Sequence, residues 1–315
     1  MFREQTLRHL VQTNATPPMA RIFLSFLQYL AADTASRLGG SLGVLAWRMG
    51  VRRGLVNNSL QTTLGLRGPA RARVSRRAYA TMGANFIEIW TAGGVDGVEH
   101  HAHAINPSWM RLVQARHPGL VIAASHIGSW DGAVMAIRPH LTRLVVYAKA
   151  QHNPSMDELL NQRRSVAGTE ILLTRQGDRT GAVTVLKILR DGGGAVGLLT
   201  DQRPRSEEAA PAMFLGQPAF CHPGPAFFAQ RARAWVVPAF ALRVRAGETR
   251  AYMLRPFDVT GLSAEAATQR IMDALSAVIS AFPGQYFWHH RRFGVRPDNC
   301  PTANPRWREG LNFLR

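Results

Sequence analysis

Short apolar blocks recur along the middle of the chain: "LVIAAS" (120–125), "LVVYA" (144–148), "EILLT" (170–174), "AVGLLT" (195–200) and "WVVPAFALR" (235–243). Each is a short apolar run that resembles a buried strand. Most are separated by stretches with helical spacing, such as Asp157 to Val166 and Thr180 to Leu189. Strand, helix, strand at intervals of roughly 25 residues implies crossover connections. The expectation is an α/β fold with a mostly parallel or mixed central sheet flanked by helices. Ahead of the first block, Arg71 to Thr91 predicts a helix, with Val74, Ala78, Met82, Phe86 and Ile89 on one stripe. The glycines of "LRDGGGAVG" follow a helix, so they read as its stop and the entry into a strand.

The N-terminal pattern differs. From Met19 to Met49 the chain is apolar but broken by Arg21, Asp33 and Arg37; its longest uncharged runs, Ile22–Ala32 and Leu38–Trp47, hold 11 and 10 residues. A spanning helix needs about 20. The pattern predicts amphipathic helices lying at a membrane interface or packed as a hairpin on the core, and leaves both open. The break at "LRGPARAR" then suggests two parts: N-terminal membrane-associating helices over 1–60 and an α/β domain over 61–315. Within the first part "GGSLG" (39–43) matches the G-x-S-x-G of serine hydrolases. It lacks the strand that must precede a nucleophile elbow, so small residues packing one helix on another explain it better. No signal-peptide pattern is visible in "MFREQTLRHLVQTNATPP".

Charge narrows the partners. All but two of 38 basic residues are arginine, the exceptions being Lys149 and Lys187, against 20 acids, for a net +18. Genome composition alone can produce such a bias. The functional reading is an anionic partner, and arginine's planar fork suits phosphate. The basic residues are spread rather than clustered and no nucleic-acid motif occurs, so no nucleic-acid partner is expected. Cys221 and Cys300 form no framework or metal spacing; Cys221 reads as a small packed thiol. "HHAH" (100–103) lacks a completing acid or cysteine and reads as a solvated loop. Neither a metal nor a cofactor is expected.

The stretch "ASHIGSWDGA" (124–133) carries the candidate chemistry. His126 falls at the carboxyl end of the first strand, the edge where open parallel sheets bind ligands. Gly128 permits a sharp turn, Ser129 can cap a helix starting at Trp130, and Asp131 falls in its first turn. An acid there can orient an imidazole for general-base work. It can equally be present for the helix dipole, and spacing alone does not choose.

"SHIGSWD", "YAKAQHNPSMDELLNQRRSVAG", "AVTVLKILRDGGGAVGLLTDQRP", "FLGQPAFCHPGPAFFAQRARAWVVPAF" and "FPGQYFWHHRRFGVRP" follow one another in the order seen in a known family. From about Arg21 to Pro297 the chain resembles the bacterial lipid A biosynthesis acyltransferases, the late lauroyl- or myristoyl-transferring type, related to glycerol-phosphate acyltransferases with an HxxxxD/E motif. The resemblance implies an enzyme at the cytoplasmic face of the inner membrane, peripheral or held by one N-terminal anchor. It implies acyl-carrier-protein thioester as donor and a hydroxyl of a phosphorylated glycolipid as acceptor. It makes His126 the base and Asp131 its partner, and it matches Arg164, Asp201 and Gln202 to substrate-binding positions. The acid of the motif is usually glutamate in the lipid A branch, so Asp131 leaves open another glycolipid or a glycerophospholipid as acceptor. A lipid esterase or thioesterase using water is the alternative from another class. A thioester already carries a good leaving group, so no enzyme nucleophile is required. Oxyanion donors could be backbone N–H groups near Gly128 or an arginine.

Overall fold

The computed structural model describes residues 27, 29–91, 102–117, 119–149, 161, 169–174, 180–191, 194–204 and 209–314. Among them runs a seven-stranded sheet of order β1-β9-β8-β2-β5-β3-β4. It is built from β1 (Ala102–Ala104), β2 (Leu120–Ala124), β3 (Arg143–Lys149), β4 (Glu170–Thr174), β5 (Gly194–Leu199), β8 (Trp235–Arg245) and β9 (Glu248–Met253). All neighbours are parallel except β8 and β9, which form an antiparallel hairpin. All five apolar blocks are strands, as the pattern predicts. A separate hairpin pairs β6 (Ala210–Phe214) with β7 (Gln217–Cys221).

β2 shows why this sheet is central. Its residues alternate between two cores: Val121 and Ala123 pack with Val196, Phe240, Ile271 and Leu275, whereas Leu120 and Ile122 pack with Met110, Val113 and Ala136. Being apolar on both faces requires a layer on each side. Helix α4 (Pro107–Arg116) and helix α5 (Trp130–Ile137) cover one face. On the other lie α6 (Thr180–Arg190), α7 (Gly224–Ala232) and α8 (Ala264–Ala281).

The N-terminal region forms α1 (Ala32–Arg48), α2 (Arg53–Leu64) and α3 (Gly68–Thr91). Helices α1 and α3 cross in backbone contact. A Cβ on Gly39 would lie 2.3 Å from the Gly83 oxygen, and one on Gly43 would lie 2.0 Å from the Tyr79 oxygen. This is the use of "GGSLG": close helix packing, with Ser41 exposed on the outer side. Val56 and Leu60 of α2 belong to the same buried cluster as the sheet. No helix among the described residues is long and apolar enough to cross a membrane. One expectation is corrected: Ala102 and His103 of "HHAH" are not loop but edge strand β1, paired with Thr249 and Arg250. Three alternating positions were too short a signal to find.

Candidate active site

The sheet register brings the site together. β2 and β5 are parallel neighbours with Ala124 opposite Leu199. His126 and Asp201 each lie two residues beyond that pair, so both emerge at the same level of the carboxyl edge. His126 Nδ1 lies 2.8 Å from Asp201 Oδ1. The carboxylate is 1% exposed and the imidazole 17%. Burial pushes the Asp201 carboxyl up, but the charge and hydrogen bond of His126 outweigh it, so the group sits below its usual range. Asp201 is therefore an anion, and it holds the proton of His126 on Nδ1. That leaves the Nε2 lone pair as acceptor, with the Gln202 amide nitrogen 3.4 Å away.

This geometry differs from the spacing-based expectation in one respect. The carboxylate on Nδ1 is Asp201 rather than Asp131. Asp131 does fall in the first turn of α5, next to Ser129 as N-cap, although the Ser129 side chain makes no capping bond. Its neighbours include Asn85, Glu88, Met135 and Thr249, with which it lines a cavity of about 50 Å³. Linear spacing favoured the nearer acid; strand adjacency favours the one 75 residues away. The signal was present as the parallel endings "AASH" and "LLTD". Arg164 lies outside the described residues.

The turn carrying His126 is held from several directions. Phe287 N–H donates to the His126 carbonyl at 2.9 Å, and Gly128 N–H donates to the Gln285 carbonyl at 2.9 Å. The Gly128 N–H is thus engaged and is not an oxyanion donor. Asn85 donates to the Gly128 carbonyl. Gly128 has φ +57°, and a Cβ there would lie 1.7 Å from the Ala241 oxygen. Only glycine fits. The Gln285 side chain in turn accepts from Arg243 N–H at 2.9 Å and donates to the Arg243 carbonyl at 3.1 Å. The Arg243 guanidinium pairs with Glu88 and donates to Asn85. Trp130 and Phe287 flank the imidazole, with ring centroids at 5.1 and 6.0 Å. Burial holds the His290 imidazole below its usual pKa, so it is a neutral neighbour. Asn85, Gln285 and Phe287 were not singled out from sequence; the C-terminal block was legible only as part of a resemblance.

A histidine–carboxylate pair at the carboxyl edge of a parallel sheet can take a proton from a hydroxyl. The comparison with known families supplies the reaction class. Residues 4–294 match the family model described as bacterial lipid A biosynthesis acyltransferase. The chain belongs to that family. No curated protein matches it. As a lipid A biosynthesis acyltransferase it uses an acyl donor and a lipid A precursor as acceptor. Cys221, meanwhile, is no nucleophile of this acyltransferase. It is buried, burial pushes its thiol up, and Arg292 donates to its sulfur at 2.8 Å.

Proposed function

We propose that this acyltransferase moves a fatty acyl chain from acyl-carrier-protein thioester to a hydroxyl of a phosphorylated lipid A precursor, with His126 as general base. The observation that carries this reading is the 2.8 Å bond from His126 Nδ1 to buried Asp201. Nε2 takes the acceptor's hydroxyl proton as its oxygen attacks the thioester carbon. The carbon–sulfur bond then breaks, and the imidazolium returns the proton to the departing thiolate. Asp201 fixes the tautomer and stabilises the imidazolium. Gln202, beside Nε2, positions the acceptor hydroxyl. Asp131 is a second carboxylate acting from the first turn of α5, and Arg164 contacts an anionic group of a substrate. The reaction takes place at the cytoplasmic face of the inner membrane. The exposed apolar stripe of α1 and its C-cap supports peripheral attachment, since Leu38, Leu42, Leu45 and the C-cap Met49 are 41, 48, 51 and 71% exposed.

Purified variants with wild-type melting temperature test the pair. His126→Ala should lower acyl transfer by about two to four orders of magnitude. Asp201→Asn should be nearly as severe. The double variant should be scarcely worse than His126→Ala, because a unit fails once. Asp131→Asn combined with His126→Ala should instead multiply the losses. Near-normal transfer by folded His126→Ala protein sinks the mechanism. A double variant of His126 and Asp131 no worse than His126→Ala returns Asp131 to the orienting role. Thioester release without acceptor, at the rate seen with it, would make the chain a hydrolase.

A further inference from the structure

Arg73, Arg76 and Arg77 on α3 stand at i, i+3 and i+4, which gathers three guanidinium groups on one helical face. All three are exposed, and among the described residues none has a hydrogen-bond or ion-pair partner. Among the described residues no acid pairs with them, and their own stretch of chain is short of acids. Between 32 and 91 the chain carries nine arginines and two acids. Of those acids Asp33 pairs with Arg37 and Glu88 with Arg243. Like charges at this spacing repel, so the face is more stable with an anion on it than without.

The arginines wall a groove of about 440 Å³ between α1 and α3, whose other lining includes Val44, Trp47 and Ala80. Its shape follows from the packing. The two helices touch through Gly39, Gly43 and Gly83, and beyond Gly43 the side chains of Val44 and Trp47 hold them apart. Trp47 is fixed by donating Nε1–H to the buried Ser75 hydroxyl at 3.1 Å. A cationic wall over an apolar floor fits an amphiphile better than a free phosphate, which would leave the floor wet.

We propose that this groove binds the phosphodiester headgroup of an anionic glycerophospholipid. The guanidinium forks hold the phosphate, and the first methylenes of its chains lie on Trp47, Val44 and Ala80. This lipid is neither acyl donor nor acceptor; it fixes how the enzyme sits on the bilayer. The proposal rests on the reading that the enzyme works at a membrane surface, but its test involves no acyl transfer and so stands or falls separately.

The measurement is partitioning of the purified chain onto phosphatidylcholine vesicles with and without phosphatidylglycerol, at fixed ionic strength. Binding to the anionic vesicles should weaken by about tenfold or more in Arg73→Gln/Arg76→Gln. Arg233→Gln/Arg255→Gln removes the same charge from exposed positions elsewhere and should cost less than about threefold. Tryptophan quenching by brominated phosphatidylglycerol should shrink in Trp47→Phe. Equal losses in the two arginine pairs would reduce the effect to net charge and overturn the proposal. So would unchanged quenching in Trp47→Phe, or displacement from the vesicles by millimolar inorganic phosphate beyond the effect of equal ionic strength.

Discussion

The turn at 126–128 and the crossing of α1 with α3 are both tight glycine contacts, yet they are finished differently. Around the turn, partners come from the fold itself: the His126 carbonyl and the Gly128 N–H and carbonyl are all bonded. Behind them Arg243 and Glu88 form a pair that is 11 and 16% exposed. At the helix crossing the contact face is equally close, but the outer face is left open. It carries exposed leucines, and on α3 Arg73, Arg76 and Arg77 have no partner among the described residues. A region complete within the chain serves to hold something still. A region completed only from outside serves to meet something. On the function proposed above, the first would be the catalytic turn and the second the face turned to lipid.

The sharpest way to break the first region is Gly128→Ala. Its methyl group would stand 1.7 Å from the Ala241 carbonyl oxygen, at a backbone angle unfavourable to alanine. Overpacking and left-handed strain together cost about 3 kcal/mol or more. Because the turn carries His126, transfer by whatever folds should fall by at least about a hundredfold. Denaturant titration and single-turnover kinetics measure the two losses. A stable, active Gly128→Ala protein would mean that the turn is not closed as described.

Gly43→Ala is the matching break in the second region. The new methyl would lie 2.0 Å from the Tyr79 carbonyl oxygen, and forcing α1 away should cost about 1–3 kcal/mol. Here stability and turnover should separate. With detergent-solubilised acceptor, kcat of the folded fraction should stay within about threefold of wild type. A kcat loss equal to that of Gly128→Ala would tie the two regions into one unit.

The same contrast explains what the sequence made legible. Strands β2, β5 and β8 were readable because burial on both faces leaves an apolar block, and β3 and the edge strand β4 because their apolar runs persist although β4 itself is only part-buried. β1 and β9 were not: one has three residues, and the other is the edge-side partner in a hairpin with mixed polarity, "ETRAYM". His126 was readable because strand end, glycine and helix start are all local. Asp201 was legible as the end of a strand, but choosing it over Asp131 as the carboxylate partner needs the strand order, and order is set by packing rather than by any adjacent residue. For the same reason nothing in "PGQ" announced that Gln285 would brace both Gly128 and Arg243.

His289 lies on the seam between the regions and gives that seam a pH response. Its ring meets Tyr79 of α3 edge-on at 4.2 Å, and its carbonyl accepts from Arg52 at 3.1 Å. Burial, and then the Arg52 charge, lower its pKa to about 4. The folded state thus binds the proton less well than the unfolded chain. This contribution is fully present above about pH 6.5 and is lost as pH falls toward 4. The full shift is worth on the order of 3 kcal/mol. His289→Phe keeps a ring on the seam and removes the proton, so its melting temperature should vary less between pH 6.5 and 4.5 than wild type. Parallel curves for the two proteins would remove His289 from the seam's pH response.

The smallest expected effect on stability belongs to the exposed stripe of α1, and there the smallness is the point. Leu42 and Leu45 are 48 and 51% exposed, so Leu42→Ser/Leu45→Ser removes little buried surface. Stability should change by no more than about 0.5 kcal/mol, as for surface positions generally. If these leucines face lipid, retention on vesicles should nevertheless drop for neutral and anionic vesicles alike, because apolar burial in the interface does not depend on headgroup charge. That pattern differs from the arginine groove, whose loss should be confined to anionic vesicles. It also differs from a stripe covered by another part of the chain, where serine would cost stability and leave retention unchanged. Flotation on both vesicle types, beside a denaturant midpoint, separates these outcomes. A stability loss above about 1 kcal/mol with normal flotation would make the open face of α1 an internal one.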